Sequence, residues 1–140
     1  MAAGRWEHFP HQADMGIRGV GPTEADAFAQ AALAMTALIT EPDAVRPAEA
    51  VAIACQAADP DDLFYDWLNA LVLEMATRRM LFSRFDVVIK GDRLEAKAWG
   101  EPIIVSRHKP AVEVKGATYT ALRVGRSDRG EWIAECVVDV

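Results

Sequence analysis

The chain has 140 residues and is 51% hydrophobic, which suffices for one packed core and not for two. Its 21 acidic side chains against 15 basic ones give a net charge of −6 and a pI of about 5.0. This balance serves solubility, repels phosphate backbones and disfavours direct nucleic-acid binding, so a basic protein partner or a cation is the natural complement. No stretch approaches the roughly 18 uninterrupted apolar residues of a membrane span, and the N-terminal Met-Ala-Ala-Gly-Arg-Trp-Glu-His lacks a secretory apolar core. A soluble cytoplasmic protein is expected, without membrane contact.

The first informative segment is His11 to Thr23, which holds His11 and Asp14 three residues apart, then Gly16, Gly19 and Gly21, then a helix start. Thr23 and Asp26 resemble a capping box. From Ala27 to Ile39, Phe28, Ala32, Met35 and Ile39 recur at helical spacing, and Pro42 ends the run. Residues 49–57 alternate as a strand, with Val51, Ile53 and Cys55 on one side. Alanines on the other side predict cover on both faces. Asp59-Pro60-Asp61-Asp62 starts a second helix whose stripe is Leu63, Phe64, Trp67, Leu68, Leu71 and Met75. Beyond it the pattern predicts two hairpins: strands 82–89 and 94–99, a loop from Gly100 to Pro110, a long strand over 112–124, and a return from Trp132 to Val138. The sum is a single α+β domain over 1–140, a largely antiparallel or mixed sheet with two helices packed on it. Cys55 and Cys136, the only cysteines, read as free buried thiols.

His8 and His11 do not make a zinc pair, because Pro10 forbids a helical face and an extended chain points them to opposite sides. An imidazole hydrogen bond that fixes the loop suits them better. Asp14 is the stronger ligand candidate, beside a glycine that frees backbone oxygens, although a turn aspartate bonding its own backbone fits as well. Asp139, at the end of an apolar strand, joins a carboxylate to nearby main-chain and terminal oxygens. It suits a hard divalent ion or simply solvates the strand end. Glu101 reads as a ligand, an arginine partner or an exposed residue, and His108 as part of a surface contact. Asn69, unusual in mid-helix, is expected to bond a neighbouring loop. No nucleophile elbow, phosphate loop or Cys–His signature is present.

In this order the motifs resemble the archease family. They are His11-x-x-Asp14-x-Gly16-Ile17-Arg18, Gly21-x-Thr23, Ala27-Phe28 with Ala31 and Met35, Asp62-Leu63 and Trp67-Leu68-Asn69. Gly100-Glu101, His108, Val114 to Tyr119 and Val138-Asp139-Val140 complete the set. Thr120 stands where the family usually has histidine, and Ala70 where it usually has glutamate. The resemblance implies an accessory protein rather than an enzyme: an activator that promotes guanylylation of an RtcB-type RNA ligase and its multiple turnover, as in tRNA splicing. GTP then enters through the ligase, and RNA is met only indirectly. It also implies a divalent-metal site at Asp14, Asp139 and Val140, with Ca²⁺, Mg²⁺ or Mn²⁺ suited to oxygen ligands. His11, Glu101, His108 and Lys115 are expected near that site or against the partner. Two other classes of function compete: a metal-dependent hydrolase using Asp14, Glu101, His108 and Asp139, and a chaperone-like structural module pinned by its metal.

Overall fold

Gln12 adopts a left-handed backbone, φ 54°, and turns the N-terminal segment into a hairpin of β1 (Arg5–His11) and β2 (Asp14–Gly21). The computed structural model describes residues 3–140. After β2, the Thr23 hydroxyl accepts from the Asp26 N–H at 3.1 Å and caps α1 (Glu24–Ile39), three residues earlier than its apolar run. A 3-10 turn (Pro42–Ala44) leads to β3 (Glu49–Gln56). Asp59 caps α2 (Pro60–Arg78), which buries the six apolar residues of its predicted stripe. Then come β4 (Met80–Lys90), β5 (Arg93–Pro102), the short α3 (Val105–His108), β6 (Gly116–Ala117), β7 (Arg123–Arg126) and β8 (Trp132–Asp139).

The strands form two antiparallel sheets. One has the order β1-β2-β8-β6, with β7 beside β6 along the same edge of β8; the other has the order β3-β5-β4. Both helices and the inner faces of both sheets share one core, centred on Phe28, Phe64, Trp67 and Phe82. The fold is α+β, as expected.

Three local expectations fail. Residues 112–124 are not one strand but a bridge holding β6, a turn and the start of β7, because the segment changes partners along β8. The expected loop from Gly100 to Pro110 begins inside β5 and contains α3. The second face of β3 is open: Ala50, Ala52 and Ala54 are exposed, so alanine there marks tolerance rather than close cover.

Gly19 explains how closely α1 approaches β2. A Cβ at this position would lie 2.1 Å from the Ala27 carbonyl oxygen and 2.3 Å from the Ala31 nitrogen, both helix backbone atoms. Gly19→Ala is therefore expected to destabilise the fold by about 2 kcal/mol, as overpacking does. A urea midpoint equal to that of the wild type would show that the helix lifts at no cost.

Candidate functional site

Strand register brings the two ends of the chain together. Met15 pairs with Val138, so one step further along the ladder Asp14 faces Asp139. His11 faces Asp14 from β1, and Gly116 faces Asp139 from β6. His11, Asp14, Asp139 and Gly116 thus form one row across the end of the sheet. Directly opposed residues of an antiparallel pair project to the same face, and like charges so placed repel. Both carboxylates are exposed, and neither has a hydrogen bond or ion pair among the described residues. Val140 follows, 45% exposed.

The surroundings hold this row in place. The Phe9 ring occupies the space above Gly16, where a Cβ would come within 2.1 Å of it. Gly16 is thus small to admit a ring. The Arg18 guanidinium lies 4.6 Å from the Phe9 ring centroid and pairs with Glu135 at 3.0 Å and Glu7 at 3.4 Å, tying β2 to both neighbours. On the other side the Lys115 N–H donates to the Asp139 carbonyl at 2.7 Å, and Lys115 itself is exposed. Asn69 accepts from the Ala117 N–H at 2.9 Å, so this mid-helix amide bonds a neighbouring segment as expected and fixes β6.

The histidines divide as the extended strand demands. His8 hydrogen-bonds the Ala34 carbonyl through Nε2 at 2.7 Å, anchoring β1 to α1. His11 contributes its place in the row, while the turn itself is shaped by Gln12.

Glu101 and His108 belong to a separate buried knot. The Ile104 N–H donates to His108 Nδ1 at 2.8 Å, so Nε2 carries the proton and donates to Glu101 at 2.9 Å. Glu101 also receives Arg107 at 2.8 Å and the Arg46 N–H at 2.8 Å. His108 is 3% exposed, which corrects its assignment to a surface contact. The knot pins the 103–109 segment against residues 44–46, ahead of β3, and Ala111 continues to the α1 end through its bond to the Ile39 carbonyl. Among the described residues no three His, Cys, Asp or Glu side chains gather in a metal-binding group, so the four-residue hydrolase set is not assembled. Cys55 and Cys136 are free, and burial pushes the Cys136 thiol up to about 12, which leaves it unreactive.

The Arg107 guanidinium, then the Arg46 N–H, hold the Glu101 carboxyl well below the usual carboxylate range. A depressed folded-state pKa stabilises the fold above the unfolded value, near 4.3 for glutamate, and that contribution is lost as pH falls below it. The stability gap between wild type and Glu101→Gln is expected to be widest at neutral pH and to narrow on acidification below about pH 4. Equal gaps at both pH values, by chemical denaturation, would remove Glu101 ionisation from the account.

The model of the Archease protein family (MTH1598/TM1083) matches residues 6–140. The chain belongs to the archease family. It is 34% identical over 140 residues to the archease of Pyrococcus abyssi, covering 97% of this chain and 99% of that one. The archease of Methanopyrus kandleri is 39% identical over 139 residues, covering 96% and 99%. Among solved structures, protein 1598 of Methanobacterium thermoautotrophicum superposes with a TM-score of 0.83 at 32% identity, covering 96% of this chain and 98% of that one. An archease from Thermotoga maritima shares the fold at a TM-score of 0.57 and 17% identity, covering 96% of each chain. No helix among the described residues is long and apolar enough to cross a membrane.

Proposed function

We propose that this archease activates an RtcB-type RNA ligase by promoting guanylylation of the ligase's active-site histidine, so that the ligase turns over repeatedly in joining RNA ends, as in tRNA splicing. The observation that carries this reading is the facing of Asp14 and Asp139 at an exposed sheet end, two carboxylates with no cationic partner among the described residues. Such a pair is costly unless a cation or a partner's positive charge offsets it.

The donor set fits a hard divalent ion. Asp14 and Asp139 supply carboxylate oxygens and Val140 main-chain oxygen, with no sulfur or imidazole required. A bound Ca²⁺, Mg²⁺ or Mn²⁺ supplies positive charge that stabilises phosphate oxygens during nucleotidyl transfer. The chain's own groups do the positioning: β2 and β8 hold the two carboxylates in register, Arg18 locks the strands, and the Lys115 N–H fixes the Asp139 carbonyl. The net charge of −6 disfavours direct contact with RNA. The protein on this reading is no enzyme, and GTP reaches the reaction through the ligase.

The test is a guanylylation assay of the cognate ligase with labelled GTP and a divalent cation. Substoichiometric amounts of this chain are expected to raise both the rate and the number of turnovers. An unchanged rate sinks the reading.

A further inference from the structure

The surface has one aromatic pair that the acidic row does not explain. Tyr119 lies parallel to Tyr65, with ring centroids 4.4 Å apart and an interplanar angle of 8°, yet it remains 67% exposed. One ring face is covered by Tyr65 and the other is presented outward. Its loop is firmly stitched: the Thr118 N–H and hydroxyl both donate to the Val137 carbonyl, at 3.1 and 2.7 Å. The Val137 N–H donates to the Thr120 carbonyl at 3.0 Å, and Ala121 takes a left-handed φ of 54° to close the turn. A rigid, exposed aromatic surface loses little conformational freedom on binding, which is why tyrosine recurs at interface centres.

Charge selects the occupant. Asp62, Tyr65 and Asp66 share one face of α2 by their spacing of three and four residues. Both aspartates are exposed and have no ion pair among the described residues. Partial desolvation beside its neighbours, then the charge of Tyr65, Asp62 and Asp66, pushes the Tyr119 phenol above its usual value. Three other partly exposed rings carry the chain's own arginines, Arg18 over Phe9 at 4.6 Å, Arg84 over Trp99 at 5.3 Å and Arg126 over Trp132 at 5.3 Å, while Trp6 instead meets His8 at 5.1 Å. The Tyr65–Tyr119 pair has no such arginine among the described residues. A guanidinium laid on the open face of Tyr119 gains the ring quadrupole and both carboxylates together. A nucleic-acid base would stack on the same ring, but its phosphate would meet the two aspartates.

We infer that Tyr119, backed by Tyr65 and flanked by Asp62 and Asp66, is a docking point for an arginine side chain of the partner protein. The inference rests on the ligase-activator reading and locates where the partner is gripped, as distinct from where it is activated. The two places adjoin, since Tyr119 is four residues from Lys115, whose N–H holds Asp139, and Thr118 is bonded to β8.

The test measures binding of the full chain to its RtcB-type ligase by calorimetry, at low and high salt, alongside guanylylation. Tyr119→Ala and the double variant Asp62→Asn/Asp66→Asn are each expected to weaken binding about tenfold, the double variant with a flatter salt dependence. Both should regain the full guanylylation rate at saturating concentration. Asp14→Ala should fail to accelerate even at saturating concentration, which separates it from the docking variants. Wild-type affinity in Tyr119→Ala overturns the docking point and leaves the activator reading standing. A loss of affinity seen only when RNA is present overturns it in favour of a base-stacking role. No binding or acceleration by the wild type overturns both readings together.

Discussion

Asp14→Ala and Asp139→Ala are each expected to abolish acceleration of ligase guanylylation while leaving the cation-free protein as stable as the wild type, or slightly more so. Ordinary loss-of-function substitutions do not have this signature. Asp14 and Asp139 are opposed by register across β2 and β8 and have no partner among the described residues, so removing either deletes no native contact and lowers the local negative charge. The sheet beneath is held by other groups, namely Arg18, Glu135 and the Phe9 ring. Added divalent cation should reverse the ranking. A cation that binds only the folded state stabilises it by RT ln(1 + [L]/Kd), about 2.7 kcal/mol at a hundred times Kd. The wild-type melting temperature is therefore expected to rise with cation and fall back with chelator, while both variants stay flat. Variants that still stimulate the ligase would end the metal reading, and so would a wild type whose melting ignores every divalent ion offered.

Much of this was legible before any coordinates, and the reasons differ from residue to residue. The α2 stripe could be read because six large apolar side chains at helical spacing have one physical explanation, and all six are buried. Asn69 could be read because a mid-helix amide must find a partner, and Ala117 supplies it. Asp14 and Asp139 could be paired as oxygen donors from their residues alone, but not shown to meet, since nothing local tells a strand at one end of the chain that it lies beside a strand at the other. What Gly16 accommodates could not be read for the same reason, because its neighbour is Phe9, across a hairpin. His108 reads in sequence as part of a surface contact but is buried against Glu101, and of the readings open to Glu101 the arginine partner is the one found, in Arg107, with the Arg46 N–H beside it. The strand expected over 112–124 failed because β-rich composition does not say how many partners a segment will use. Tyr119 stands in the sequence only as the end of the Val114–Tyr119 motif, because its stacking on Tyr65, distant along the chain, is tertiary.

Trp67→Ala is expected to cost about 3–5 kcal/mol, the largest loss of stability from any single side chain here. Trp67 is fully buried on α2, packs edge-on against Phe85 with centroids 6.0 Å apart, and donates its indole N–H to the Phe28 carbonyl at 3.1 Å. It is the link through which α2 holds α1 and β4 at once. Packing and the hydrogen bond can be separated, because the Phe28 carbonyl lies within α1 and takes part in that helix's own ladder. Losing the indole N–H therefore leaves no orphaned acceptor, and most of the cost comes from the cavity and the lost apolar transfer. Trp67→Phe should accordingly lose only about 1–2 kcal/mol, keeping a ring in the same space. For a domain of this size, Trp67→Ala is expected to lower the melting temperature by about 10–15 °C and the urea midpoint in proportion, with the denaturation slope unchanged. Guanylylation measured well below that temperature should remain near the wild-type rate, because β2 and β8 set the acidic row independently of Trp67. Equal losses in Trp67→Phe and Trp67→Ala would show that the hydrogen bond, and not the packing, holds the two helices together.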